Sequence, residues 1–457
     1  MSTKHVIIGG GAAGMNAIET IRGVDEGASS ITLISDEPAY ARMALPYYIS
    51  GEIPERQLMA GDERYFDRLR VHTLFGKRVT AVSPGQKRVV LNDGTAVEYD
   101  NLLIATGSSA QRLNIPGADE DGVYNLWTLD DARKTLAKLT PQAEVAFIGA
   151  GFIGFIILNA LYKLGTKLHV VEVENQVLPR MLDPQGGSLV SSWLTQHGVK
   201  AYTGVGVVEI EVQRNKRKVL RLSNGKQIKA DLVIIATGIT TNIGFLSGSG
   251  IHTNQGILAN HRLQTNYANI YAAGDVAEGP DLSTGRLAIH AIQPTVVDHG
   301  RIAGANMAGH AVDYPGSLLM NILDVCGLQC ASFGLWRDDG HETLSVVNAT
   351  RPIYRKLVWD HGRIVGAIFL GPADDVAMLN DMGMVKGLIQ TKAELGAWKQ
   401  HLKENPVDIR RPYVATKTAA KLLEMTLLGR PSAYRDYRHA QTKTWQPHGV
   451  FVGTKQA

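Results

Sequence analysis

Val6-Ile7-Ile8-Gly9-Gly10-Gly11-Ala12-Ala13-Gly14 and Val145-Ala146-Phe147-Ile148-Gly149-Ala150-Gly151-Phe152-Ile153-Gly154 decide the fold of this chain. Each is an apolar strand run that ends in a glycine-rich turn and opens into a helical stretch. Both fit the G-x-G-x-x-G pattern of a βα turn that holds a dinucleotide. The first glycine lets the chain leave the strand tightly. The second lets the backbone approach a pyrophosphate, and the third lets helix pack closely on strand. The helix that follows aims its unpaired N–H groups and positive dipole end at the phosphates. One such turn occurs in many doubly wound sheets. Two in one chain, each followed by a strand that ends in acidic residues, imply two dinucleotides and electron movement between them.

The surrounding sequence repeats the same order twice. Residues 4–9 predict a strand, 12–23 a helix, and Ile31-Thr32-Leu33-Ile34 a second strand ending at Ser35-Asp36-Glu37. Short β segments follow at 78–82, 88–91 and 102–104, with a hairpin signal at Asn92-Asp93-Gly94 and Ala105-Thr106-Gly107 as the close. The second unit starts near Glu144. Its second strand, Leu168-His169-Val170-Val171, ends at Glu172, and Val219-Leu220-Arg221-Leu222, Ser223-Asn224-Gly225 and Ala236-Thr237-Gly238 echo the first half. The repeat is far too long for a solenoid and suits two homologous domains. Beyond about 315 the pattern changes. Strands at 356–359 and 364–367 flank Asp360-His361-Gly362, and helices are expected at 374–391 and 415–428. The fold class is therefore α/β: two Rossmann-like dinucleotide-binding domains plus a C-terminal α+β domain. The segment past Gly429 is mixed, aromatic and basic, and reads as an irregular arm.

Composition sets bounds. The chain has 457 residues, 44% hydrophobic and 20% charged, as in ordinary globular enzymes. A net charge of +4 with no basic run gives no reason to expect nucleic acid. No window of about 20 apolar residues is present, so no membrane span is expected, and no secretory signal is read at the start. The two cysteines, Cys326 and Cys330, do not make a disulfide framework. On a strand, positions four apart lie about 13 Å from each other and cannot bridge, whereas on a helix they could be neighbours. They read as structural thiols in a cytoplasmic protein. No metal site is expected.

Taken together, these motifs resemble the two-dinucleotide-domain flavoproteins, the pyridine nucleotide–disulfide oxidoreductases. Tyr40-Ala41-Arg42-Met43-Ala44-Leu45-Pro46-Tyr47-Tyr48-Ile49-Ser50-Gly51 is most similar to their NADH oxidase, coenzyme A–disulfide reductase and persulfide reductase branch. The resemblance implies FAD on the first fingerprint. Its site would comprise Gly9, Gly11, Ala12, Ala13, Gly14, Arg42, Val79, Thr106, Gly107, Gly274 and Asp275, with Ser35, Asp36 or Glu37 at the adenosine ribose. It implies NADH on the second, held by Gly149, Gly151, Phe152, Ile153, Gly154, Glu172 and Gly238. It divides the chain into an FAD domain (1–115 and 245–314), an NAD domain (116–244), a C-terminal dimerisation domain (315–430) and a tail (431–457), in a homodimer.

Three departures mark the chain off from that branch. Met43 stands at the place of the redox cysteine, and a thioether cannot act as a thiolate nucleophile. Ile156 stands where the family often has Glu. Thr240-Thr241-Asn242 replaces Arg-Pro-Asn. Arg42 matches a different set of relatives, in which an Arg contacts the FAD pyrophosphate by bidentate bonds; their nearby Lys aligns best with Tyr47 here. Met43 reads as a filler beside the flavin. Glu172 at a strand end would bond ribose hydroxyls and repel a 2′-phosphate, favouring NADH, and Val173 after it offers no charge to a phosphate. Phe152 would gate the nicotinamide or pack in the core. Asp275 would bond the ribitol chain or cap a helix. His290 and His299, near the following helix, read as ordinary core or surface histidines.

The expected function is an FAD-dependent oxidoreductase that takes hydride from NADH and passes electrons to an acceptor left open, with no catalytic side chain assigned. The rival is an electron-transfer subunit of a larger redox complex, docked to a protein donor or acceptor by Arg430, Arg435, Arg438 and Lys443. A third reading is a non-enzymatic flavoprotein whose ligand state controls dimerisation.

Overall fold

A computed structural model of the chain describes residues 2–348 and 350–424. The last residues of the helix expected at 415–428, and the arm past Gly429 with Arg430, Arg435, Arg438 and Lys443, lie outside the described residues.

The first glycine turn joins β1 (Lys4–Ile8) to α1 (Ala12–Asp25), and β2 (Ser30–Ser35) follows. With β3 (Val71–Phe75) and β4 (Asn101–Ile104) these strands are mutually parallel. The chain then crosses to a second sheet through β5 (Val123–Asn125). There β6 (Glu144–Ile148), α2 (Phe152–Lys163) and β7 (Lys167–Glu172) form the second βαβ unit. Helix α3 (Pro184–Gln196), β8 (Lys200–Thr203) and β9 (Leu232–Ile235) complete it. The chain returns with β10 (Ile270–Ala272) and α4 (Gln293–Met307). Strand order is β10-β4-β1-β2-β3 in the first sheet and β5-β9-β6-β7-β8 in the second. The two orders superimpose. The first sheet takes its edge strand β10 from beyond the second half, whose own five strands all lie between the two crossovers, so the second half is an insertion into the first.

The expected hairpins form. Gly94 and Gly225 take left-handed φ of 84° and 81° between paired strands. The two crossovers run side by side as an antiparallel ribbon, Ser108–Ala110 against Ile239–Thr241. Asn242 locks it: its amide donates to the Thr106 carbonyl (2.9 Å), and the Thr106 hydroxyl donates back to the Asn242 carbonyl (3.0 Å). The Asn that survives in Thr240-Thr241-Asn242 thus has a structural task.

The C-terminal part is a five-stranded antiparallel sheet. Its strands are β11 (Met320–Val325), β12 (Leu328–Gly334), β13 (Glu342–Asn348), β14 (Ile353–Asp360) and β15 (Arg363–Pro372), ordered β11-β12-β15-β14-β13. Helix α5 (Val376–Gln390) packs on β15. The expected 415–428 helix is present as Thr418–Glu424, preceded by the separate turn of helix Arg410–Ala415. Cys326 sits in the β11–β12 turn and Cys330 in β12, both free and buried. Burial pushes the Cys326 thiol up to about 12 and raises that of Cys330 as well.

One buried ion pair fastens this sheet to the second domain. Asp183 caps α3 through the Gly186 N–H (3.0 Å) and accepts from the Tyr354 hydroxyl (2.6 Å) and the Lys356 ammonium (3.0 Å). Asn caps helices as well as Asp, so Asp183→Asn removes the charge and keeps the cap. It leaves the buried Lys356 unpaired and is expected to cost about 3–5 kcal/mol. Chemical denaturation of both proteins reads this directly; a loss below about 1 kcal/mol, the value of an exposed pair, would show that the pair is not buried in solution.

Candidate functional site

The first glycine turn and the start of α2, just after the second turn, face one cavity of about 560 Å³, a size typical of cofactor sites; Gly149, Gly151 and Glu172 do not line it. Gly9, Gly11, Ala12 and Ala13 line it from the first turn, Phe152 and Ile153 from the second. Residues 40–43, 45–46, 105–108, 273–275 and 291–294 supply much of the remaining wall.

The turns are held by an interaction the motif does not advertise. Gly9 has φ +111° and Gly149 φ +104°. A first side-chain carbon on Gly9 would lie 2.2 Å from the Ala105 carbonyl oxygen; on Gly149 it would lie 2.4 Å from that of Ala236. Each Ala-Thr-Gly segment therefore presses its backbone against the first glycine of its own fingerprint. No other residue fits there. This cradle, with open space over Gly11 and Gly151, suits a pyrophosphate approaching the backbone of each turn. Gly14 and Val79 lie behind the wall: a carbon on Gly14 would strike the Gly9 carbonyl at 2.0 Å, and Val79 is buried in the core. Thr106, Gly107 and Gly274 line the cavity; Gly154 packs under the second turn, and Gly238 lies beyond it, facing Gln111.

Register identifies the acidic positions. Ile8 pairs with Ile34 and Ile148 with Val171. Ser35 is therefore the counterpart of Glu172. Ser35, Asp36 and Glu37 all line the cavity. Asp36 pairs with Arg78 (2.9 Å), and Glu37 pairs with Arg42 (2.8 Å) and accepts from the Tyr40 hydroxyl (3.1 Å). Glu172 is 8% exposed. One of its oxygens accepts from the Ala150 N–H (2.6 Å), the other from the Glu174 N–H (3.0 Å). Val173 beside it is 69% exposed.

Arg42 lies on the cavity wall between two rings, its guanidinium carbon 5.3 Å from the Tyr40 centroid and 5.6 Å from that of Trp127. Asp275 lies in the short 3₁₀ turn Gly274–Val276 and caps neither that turn nor α4, whose N-cap positions are Ala273 and Ile292. It accepts from the Ser108 hydroxyl (2.8 Å), and burial holds its carboxyl above the usual range. Tyr40, Trp127, Ser108 and Gln293 were not foreseen as cavity residues. Trp127 has no local signal at all; it arrives because its indole N–H donates to the Ser108 carbonyl (2.8 Å) across the crossover.

The histidines stand aside. His290 precedes α4 and contacts Asp281 at 2.7 Å in a buried pair; His299 lies inside α4, where burial lowers it to about 3 and keeps it neutral. Neither lines the cavity. Among the described residues no group of three His, Cys, Asp or Glu is set to hold a metal, and no helix is long and apolar enough to cross a membrane. What remains is two glycine turns with room for a pyrophosphate at each, and the carboxylates of Glu172 and Asp275. The arrangement suits two dinucleotides, and no cysteine lines the cavity.

Known proteins show the same pattern. A family model described as pyridine nucleotide-disulphide oxidoreductase matches residues 3–294, and one described as the rubredoxin NAD+ reductase C-terminal domain matches 320–382. The chain is 30% identical over 417 residues to the NADH-dependent phenylglyoxylate dehydrogenase subunit epsilon of Aromatoleum evansii, covering 90% of this chain and 96% of that protein. It is 33% identical over 314 residues to rhodocoxin reductase of Rhodococcus erythropolis, covering 68% and 73%. Among solved structures, an NAD-dependent persulfide reductase from A. fulgidus superimposes with a TM-score of 0.78 at 29% identity, covering 85% of this chain and 77% of that one. Putidaredoxin reductase in its covalent complex with putidaredoxin gives 0.81 at 21% identity, covering 91% and 99%, and so shares the fold.

Proposed function

This chain belongs to the pyridine nucleotide–disulphide oxidoreductase family, and on that premise we propose that its electrons leave the flavin directly for a redox-protein partner. It is an oxidoreductase that uses FAD and a nicotinamide cofactor. The observation that carries the proposal is the absence of a thiol relay. Met43, 48% exposed, lines the cavity where the family's cysteine would be. The chain's two cysteines are buried at the β11–β12 turn and in β12 and do not line the cavity. The full-length likeness to a subunit of a larger dehydrogenase supports a protein partner over a small disulfide.

When bound, the flavin supplies hydride acceptance and stepwise electron release. The residues of this chain do the rest. The backbone of Gly9–Ala13 would hold the FAD pyrophosphate, with Arg42 turned to its phosphates. Asp275, backed by Ser108, would meet the ribitol hydroxyls, and Ser35 or Asp36 the adenosine ribose. The Gly149–Gly154 turn and Glu172 would seat NADH, and Phe152 would shield the facing rings from water. The domain division at 115, 244, 314 and 430, a homodimer through residues 315–430 and a cytoplasmic setting complete the proposal. Exposed Val376, Leu379, Val407 and Val414 give the C-terminal part apolar surface for self-association, which light scattering would read.

Anaerobic NADH should bleach the flavin band near about 450 nm, and an iron–sulfur protein should restore it. Coenzyme A disulfide should not. Met43→Cys is expected to bleach within about threefold of the wild-type rate. Wild-type turnover of coenzyme A disulfide at roughly 1–10³ s⁻¹ would defeat the proposal.

A further inference from the structure

Helix α2 brings Phe152, Ile153, Ile156 and Ile157 to the shared cavity. Offsets of one, four and five place all four on one helical face. Met320 and Ile322 of β11 line the cavity as well, and β11 packs against α2. This part of the wall carries no ionisable group. The helix starts at Phe152 with Gly151 as N-cap, no capping side chain and no acidic residue in its first turn. The nearest carboxylate, Glu172, accepts the Ala150 N–H just before that N-cap (2.6 Å) and does not line the cavity.

The charges that do line the cavity are engaged elsewhere. Glu19 accepts from Tyr65, Asp36 pairs with Arg78, and Glu37 pairs with Arg42. Asp275 takes the Ser108 hydroxyl, and burial raises its carboxyl above the usual range. A ring lodged against this face of α2 thus meets hydrocarbon. The two redox forms of a nicotinamide differ in this respect: the dihydropyridine is uncharged and the pyridinium carries a positive charge. A cation moved from water into such a place without a partner is penalised. The face of Phe152 attracts a cation and offsets only part of that.

We propose that this apolar face makes the site select the reduced, uncharged nicotinamide over the oxidised one, with Ile156 as the residue that sets the ratio. The inference rests on reading the second glycine turn as the nicotinamide site. It deepens that reading with a direction: the product pyridinium leaves readily and inhibits weakly, so the chain works as an acceptor of electrons from NADH.

The test uses the full-length, FAD-loaded, oxidised protein and calorimetric titration. The ligands are NAD+ and 1,4,5,6-tetrahydro-NAD, whose ring is uncharged and does not reduce flavin. The wild type should bind the tetrahydro form at least about tenfold more tightly, a difference of about 1.4 kcal/mol. Ile156→Glu should bring the two affinities within about threefold, whereas neutral Ile156→Gln should keep most of the preference. Met320→Glu introduces the carboxylate from β11 and should act like Ile156→Glu, which covers the case in which that helix variant does not fold. Equal wild-type affinities, or an equal collapse of the ratio in Ile156→Gln, would overturn the inference alone. Failure of both ligands to bind would overturn the nicotinamide site itself and the inference with it.

Discussion

Gly149→Val is expected to abolish NADH-driven bleaching of the flavin while the protein still purifies yellow. The added carbon would lie 2.4 Å from the Ala236 carbonyl, at a φ of +104° that valine does not tolerate. The obstacle is backbone, so the turn itself must move. A displacement of about 1 Å in a positioning element costs roughly 10²-fold, and we expect at least that loss in the rate of reduction at fixed NADH. The FAD cradle is built on Gly9 and Ala105 and is untouched. Gly9→Val supplies the mirror experiment, since its carbon would meet Ala105 at 2.2 Å; that protein should purify without flavin. Absorbance of the purified variants and stopped-flow reduction decide the matter. A Gly149→Val protein reduced at more than about a third of the wild-type rate would mean that hydride does not arrive through this turn.

Glu172→Arg is expected to weaken NADH by roughly ten- to a hundredfold and to shift relative preference toward NADPH. Each lost hydrogen bond to a buried partner costs about 1–3 kcal/mol, and every 1.4 kcal/mol is tenfold. The structure sharpens this expectation. The carboxylate already accepts the Ala150 and Glu174 N–H groups, so the substitution also unfastens the turn and its gain for NADPH will be smaller than its loss for NADH. Glu172→Gln keeps the length but gives up one acceptor, and should fall between wild type and Glu172→Arg. Reduction rates against concentration of both cofactors would show this. A wild type that favours NADPH would remove Glu172 from the ribose site.

Much of the site was legible because it rests on backbone geometry. Gly9 and Gly149 signal their turns since no other residue takes that φ beside a carbonyl. The apolar run Phe155-Ile156-Ile157-Leu158 was visible as a break in family pattern, although the reason appears only in three dimensions. Helix α2 is apolar on nearly every side because its own sheet covers one face and β11 and the cavity cover the other. Choosing among Ser35, Asp36 and Glu37 was beyond the sequence, since all three lie at one strand end. Pairing of Ile8 with Ile34 and of Ile148 with Val171 aligns Ser35 with Glu172.

By itself the sequence determined the two βαβ units, their duplication, the change of architecture after about 315, and the lack of a thiol at Met43. These follow from local rules: glycine at positive φ, apolar periodicity, turn chemistry and residue identity. Only the tertiary structure decided that the first turn and the start of α2 share one cavity. The same holds for the contacts of Trp127 with Ser108, of Asp275 with Ser108 and of Asp183 with Lys356, which join positions 19 to 173 residues apart. Such contacts depend on how the two crossovers and the packed sheets bring distant backbone together, and no window of neighbouring residues carries that information.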